Sequence, residues 1–288
     1  MSWSCTIPTW VLATGQLTGR PNSPRWNCPN PCGPNAKTAE SDEQPIDWGI
    51  RSVGSGPQSV RDEGGVLALL DLDGTLVDRE AGFQVWAQTL VKDHSLGRGA
   101  LAWLTATDLA VKERDRFFAL VGERFPVVGD TVALWDDYRA RMPQLAPVFP
   151  GVLDALIRLR LQGWRLGVVT NGQVDNQMGK LRRSGVLDLL DGWCISAEAG
   201  IRKPDPRVFQ LARARCGVPD EDLCWVVGDD PDLDIAGGQA SGMSTVWVSH
   251  GRAWGTASRP PDRTGHTPAQ ALNHLDVDRP LSGRDESQ

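Results

Sequence analysis

Residues 64–80 read GGVLALLDLDGTLVDRE, in which an unbroken apolar run, Val66 to Leu70, stops at Asp71 and is followed by Asp73, Gly74 and Thr75. A short apolar run without polar alternation reads as a strand buried on both faces, the form strands take in a parallel sheet covered by helices. Such a strand should not meet charge unless the charge is paired or used. The two carboxylates at its end therefore set the question for the rest of the chain.

Working outward, similar runs occur at 164–170 (WRLGVVT), 223–229 (LCWVVGD), 244–249 (STVWVS) and, more weakly, 193–196 (WCIS). Helical patterns lie between them at 151–163, 173–185 and 205–217, the last two ending at Gly185 and Gly217. Strands alternating with helices predict an α/β fold with a doubly wound, Rossmann-like parallel sheet. Residues 79–147 break the alternation. Three stretches there, 83–94, 99–125 and 130–142, carry apolar residues at helical spacing with no strand between them. They predict a helical subdomain inserted after the first strand, with Trp86, Trp103, Phe117, Phe118 and Trp135 in its core. The α/β core then comprises 64–78 and 148–276. Residues 1–63 are rich in Pro, Gly, Ser and Asn and lack periodicity, so a disordered extension is expected, with Trp3, Trp10, Trp26 and Trp48 as candidates for docking. Residues 277–288 read as a flexible tail.

The formal net charge of −6 argues against nucleic-acid and anionic-membrane partners. No segment approaches the ~18 apolar residues of a membrane span, and the N-terminus lacks the basic and apolar regions of a signal peptide. A cytoplasmic protein with reduced cysteines is expected. Cys28 and Cys32 have metal-ligand spacing, but no second Cys or His pair accompanies them, so zinc is not expected. Oligomeric state is not legible.

In open parallel sheets, ligands bind beyond the carboxyl ends of the strands. The first run ends at Asp71 and Asp73, the second at Thr170 and Asn171, and a third at Asp229 and Asp230, with Asp234 just beyond. Carboxylates crowded on one rim repel, which raises their pKa values or calls for a cation. Several Asp without Cys select a hard ion, and Mg²⁺ suits best. Thr170 can bind phosphoryl oxygens, and Lys203, before a helix, is the candidate counter-charge.

These four groups in this order resemble the motifs of the haloacid dehalogenase-like (HAD) superfamily of phosphohydrolases. Asp71, Asp73, Gly74 and Thr75 match the first motif, Thr170 the second, Lys203 to Pro206 the third, and Gly228, Asp229 and Asp234 the fourth. The likeness covers about residues 65–275. The insertion resembles a helical cap, and residues 170–188 resemble the branch with N-acylneuraminate-9-phosphatase-like and nucleotidase-like members. The resemblance implies a Mg²⁺-dependent phosphatase acting on a small phosphorylated metabolite. Asp71 would be the nucleophile and form an aspartyl phosphate, and Asp73 the general acid and base. Asp71, Asp229 and the main-chain carbonyl of Asp73 would hold Mg²⁺. Thr170, Lys203 and Asn171 would bind the phosphoryl group, with Asp230 and Asp234 orienting the lysine or the metal's waters. A phosphomutase would share every one of these residues. A non-catalytic binding protein on the same scaffold would be expected to have lost one of them. Leaving-group contacts are not legible. Glu80, Phe83, Gln84 and Trp86 are nearest the first motif, and Arg114, Arg116 and Arg124 could meet a second anion.

Overall fold

The computed structural model describes residues 65–277, apart from 221 and 257. The expectations for 1–63 and for the tail beyond Val277 lie outside the described residues. Six strands, β1 (Val66–Leu70), β2 (Arg165–Thr170), β3 (Gly192–Ile195), β4 (Leu223–Gly228), β5 (Ser244–Val248) and β6 (Arg263–Gly265), form one parallel sheet in the order β3-β2-β1-β4-β5-β6. The helices in chain order are α1 (Arg79–Asp93), α2 (Ala100–Ala110), α3 (Arg114–Arg124), α4 (Thr131–Leu145), α5 (Val152–Leu161), α6 (Val174–Arg183), α7 (Ser196–Ala199), α8 (Pro206–Arg215), α9 (Ala236–Ala240) and α10 (Pro268–Asn273). Among the described residues, no helix is long and apolar enough to cross a membrane.

β1 lies at the centre because both its faces are apolar. Val66, Ala68 and Leu70 join one hydrophobic cluster with Val152, Leu156 and Leu159 of α5 and Leu272 of α10. Leu67 and Leu69 join a second with Val208, Phe209 and Ala212 of α8. Burying each such Leu or Val stabilises the fold by roughly 1.5–3 kcal/mol. Helices on both faces give the doubly wound arrangement, and the chain turns in opposite directions from β1, to β2 on one side and β4 on the other. The crevice of such a sheet opens at that reversal, beyond the strand ends.

The stretch expected as one helix over 99–125 is two. Val111 is extended (φ −118°, ψ 101°) between α2 and α3. The break is held by a tertiary contact: Arg114 donates to the Val111 carbonyl at 2.7 Å and to the Asp108 carboxylate at 2.5 Å. Asp108 is 4% exposed and also takes both ends of the Arg79 guanidinium, at 3.0 and 2.8 Å. Phe83 and Trp86, weighed from the sequence as leaving-group contacts, are instead buried in the insertion's aromatic core. Trp86 and Tyr138 meet edge to face at 5.1 Å, as do Phe117 and Phe118 at 5.0 Å. Gln84 is engaged with Thr105 at 2.9 Å, and Arg114 with Asp108. β6 was not expected, since Arg263–Gly265 has no apolar run; it is a short edge strand on β5.

Candidate active site

Asp71 continues the line of β1 by one residue, its amide donating to Val227 O of β4 at 2.9 Å. That places it at the β1/β4 reversal. β4 brings Asp229 to the same rim, and the following turn brings Asp234. One carboxylate oxygen from each of Asp71, Asp229 and Asp234 lies within 4.8 Å of the others. Lys203, 3% exposed, arrives from the loop before α8 and donates to Asp71 Oδ1 at 2.5 Å and Asp234 Oδ1 at 2.6 Å. Asp205 caps α8, with Pro206 as its first residue. The helix start therefore lies after Lys203-Pro204, whose peptide bond is cis.

One ammonium cannot neutralise three carboxylates. Burial pushes the Asp71 carboxyl well above its ordinary value; Lys203 pulls it down, while Asp234 and Asp229 raise it further. Burial, then Asp234, pushes Asp229 to about 7, against the pull of Arg252 and Lys203. Burial alone would lower Lys203, but Asp234 and Asp71 hold it above the usual lysine range. The residual negative charge and all-oxygen donor set fit a hard divalent cation such as Mg²⁺.

Asp229 gives a testable pH dependence. A carboxyl raised in the folded state favours folding while protonated; this contribution is complete below 3.8 and is lost as pH rises through about 7. Without metal, the protein is expected to melt higher at about pH 5 than at about pH 8, a difference that Asp229→Asn should shrink. Mg²⁺ should raise the melting temperature more at the higher pH, where its ligands are ionised. Equal Mg²⁺ shifts at both pH values would speak against a cation here.

The tight turn after Asp71 is set by Gly74. Its φ is +85°, and a Cβ there would lie 2.8 Å from the Asp229 carboxylate. Asp73 does not join the carboxylate cluster through its side chain. Both its oxygens accept from Lys180 Nζ at 2.7 Å. Burial raises the Asp73 carboxyl, but the Lys180 ammonium, with the Gln177 amide and the Arg79 charge, more than offsets this and holds it below its ordinary value. Lys180 is itself lowered, by burial, against the opposing pull of Asp73.

Thr170, at the end of β2, is 1% exposed, and its hydroxyl oxygen accepts from Gln177 Nε2 at 2.6 Å. Its own proton has no acceptor among the described residues, so it is free to donate towards the rim. The Asn171 side chain is spent on the Lys203 main chain, donating to its carbonyl at 3.1 Å and accepting from its amide at 2.9 Å. It ties the second strand end to the lysine loop. Asp234 accepts from Lys203, and its Oδ2 takes the Asp230 amide at 3.1 Å. The Asp230 carboxylate faces away from Lys203: it accepts from the amides of Asp232 and Leu233 and pairs with Lys112 of the insertion at 2.5 Å.

Sequence reasoning missed Gln177, Lys180, His250 and Arg252. His250 Nε2 contacts Gly74 O at 2.7 Å, and Arg252 donates to Asp229 O at 2.7 Å. Both follow β5, so the strand-end rule that found Thr170 could have found them. A cavity of about 290 Å³ lined by Trp86, His94, Asp130 and Arg141, among others, lies in the insertion and shares no residue with the carboxylate cluster.

A haloacid dehalogenase-like hydrolase family model matches residues 67–242. Glyceraldehyde 3-phosphate phosphatase of Methanopyrus kandleri is 39% identical over 104 residues, 36% of this chain and 44% of that protein. Ribulose-1,5-bisphosphate 5-phosphatase of Halopiger xanaduensis is 30% identical over 171 residues, 58% of this chain and 71% of that protein. The chain spans less than half the length of the first curated relatives it matches. Among solved structures, Bacillus subtilis YfnB bound to magnesium superposes with a TM-score of 0.64 at 22% identity, covering 75% of this chain and 100% of that one. A HAD phosphatase from Thermococcus onnurineus superposes with a TM-score of 0.54 at 24% identity, covering 74% and 98%. At these identities the structures show a shared fold.

Proposed function

Because this chain belongs to the haloacid dehalogenase-like hydrolase family, we propose that it is a Mg²⁺-dependent phosphatase that hydrolyses a small phosphomonoester through an aspartyl phosphate on Asp71. The observation that carries the reading is the cluster of buried Asp71 and Asp234 and half-buried Asp229 around Lys203 at the β1/β4 reversal. Asp71, Asp229 and the Asp73 carbonyl would hold Mg²⁺, which when bound supplies charge neutralisation between the carboxylate and the phosphate.

The chain's own residues supply the rest. A carboxylate oxygen of Asp71 attacks phosphorus, and the bond from phosphorus to the ester oxygen breaks. The leaving oxygen takes a proton from Asp73. A water then attacks the same phosphorus and gives its proton to Asp73. The bond between Asp71 and phosphorus breaks, which releases phosphate and restores the carboxylate. Lys203, held by Asp71 and Asp234, and the free Thr170 proton steady the phosphoryl oxygens. Lys180 keeps Asp73 ionised, as the second step requires. An incoming phosphate dianion is a like charge and raises the Asp73 pKa, which favours the proton needed in the first step.

The relatives named above act on small phosphorylated sugars by their names, and a metabolite of that kind is the substrate class proposed here. Residues 79–147 are read as a cap over the rim, reaching it through the Lys112 and Asp230 ion pair. A cytoplasmic location fits the free, buried Cys194, Cys216 and Cys224. Phosphate release from a panel of phosphomonoesters, with and without Mg²⁺ and with bisphosphate activators, tests the reading. Mg²⁺-dependent release identifies a phosphatase, bisphosphate-dependent isomerisation a mutase, and no turnover of any member a binding protein.

Asp73→Asn is expected to cut turnover of alkyl phosphates by roughly 10²–10⁴-fold, and that of aryl phosphates much less, since good leaving groups need little protonation. Mg²⁺ affinity should hold, because the proposed ligand is the backbone carbonyl. An equal loss across leaving groups of widely different pKa would remove the acid role.

A further inference from the structure

Helix α6 turns a polar face inward. Asn176, Gln177 and Lys180 are all buried, Gln177 at 2% and Lys180 at 3% exposure. Spaced three apart, Gln177 and Lys180 sit on one side of the helix. Lys180 has three protons and three acceptors: Asp73 Oδ1, Asp73 Oδ2 and Gln177 Oε1, the last at 2.9 Å. That ammonium fixes the Gln177 amide, since the reverse orientation would face NH₂ with NH₃⁺. The Gln177 NH₂ group then meets Thr170 Oγ1 at 2.6 Å, Asp73 Oδ2 at 3.1 Å and the Asn171 carbonyl at 3.2 Å. One helix thus holds two groups that arrive from different strands, the Asp73 carboxylate and the Thr170 hydroxyl. Its outer part packs on α4 of the insertion, where Arg139 pairs with Asp175 at 2.8 Å and Gly179 leaves room for Pro143.

We propose that Lys180 and Gln177 are positioning residues: Lys180 aims the Asp73 carboxylate at the leaving-group oxygen, and Gln177 locks that aim to the phosphoryl-holding hydroxyl of Thr170. The three Lys180 protons and the Gln177 amide are all taken up by protein partners, so both residues act through those partners. The inference rests on the acid and base role proposed for Asp73. Its contribution is alignment, and a misplacement of about 1 Å can cost ~10²-fold in rate.

The test compares Lys180→Met, Asp73→Asn and the double variant on an alkyl and a nitrophenyl phosphate. Lys180→Met should lower kcat on the alkyl ester by ~10²-fold with KM little changed, and on the nitrophenyl ester by under ~10-fold. Added to Asp73→Asn it should cost little more, since the two residues act as a unit. Gln177→Met should raise KM and weaken inhibition by inorganic phosphate, the Thr170 end of the same network. Equal losses on both esters that add fully to Asp73→Asn would mean a merely structural lysine and overturn the inference, as would wild-type rates in Lys180→Met. If Lys180→Met is not recovered folded, the double variant, which removes both charges together, decides: rates matching Asp73→Asn support the proposal, and a further ~10²-fold loss overturns it. Failure of the underlying reading looks different, because Asp73→Asn alone would then lose both esters equally.

Discussion

Asp71→Asn is expected to lower phosphate release by more than ~10³-fold, about 4 kcal/mol of transition-state stabilisation at ~1.4 kcal/mol per decade. An amide is a poor nucleophile, and it removes one ligand of the proposed cation. The same substitution removes one of two carboxylates that Lys203 holds, leaving Asp234 as its partner. The folded protein should therefore survive, and a melt at neutral pH should fall little. Release rates with saturating Mg²⁺ check this. A variant that keeps more than a tenth of wild-type turnover would remove Asp71 from the nucleophile's role.

Lys203→Met is expected to be the most damaging single change to both activity and stability. It leaves buried Asp71 and Asp234 and half-buried Asp229 together, with the exposed Arg252, 3.4 Å from Asp229, as the remaining paired cation among the described residues. Removing one partner of a buried ion pair typically costs ~3–5 kcal/mol. The loss should be largest at about pH 8, where the carboxylates ionise, and smaller at about pH 5, where the raised Asp71 and Asp229 carboxyls keep their protons. Mg²⁺ should restore part of the stability without restoring turnover. Melting curves at the two pH values, with and without Mg²⁺, measure this. Equal melting temperatures for variant and wild type would show that the lysine does not balance the cluster.

Most of the sheet was legible because buried strands announce themselves as short apolar runs bounded by turn residues. Val66–Leu70 and Leu223–Gly228 differ from the expected segments by a residue at most. The candidate site was legible for a related reason: Asp71, Thr170 and Asp229 each close a strand, and parallel strands bring their ends to one edge. What could not be read depends on distant partners. The break between α2 and α3 falls in helix-forming sequence and is fixed by Arg79 and Arg114 meeting on Asp108. Lys180 and Gln177 were hidden by the periodicity argument itself, which assigns polar residues to the outer face. In α6 the inward face is polar because it serves Asp73 and Thr170 rather than the apolar core. The Asn171 side chain was expected to meet phosphate, and its geometry instead braces Lys203.

The central claim is a covalent Asp71 intermediate, and the stereochemical course at phosphorus tests it most directly. A phosphorothioate monoester made chiral with oxygen isotopes, turned over in isotopically labelled water in the presence of Mg²⁺, gives chiral thiophosphate and reports whether phosphorus is displaced once or twice. Two in-line displacements, by Asp71 and then by water, give net retention of configuration, which is the expected result. Inversion would mean that water attacks the ester directly, and would contradict an aspartyl phosphate on this chain.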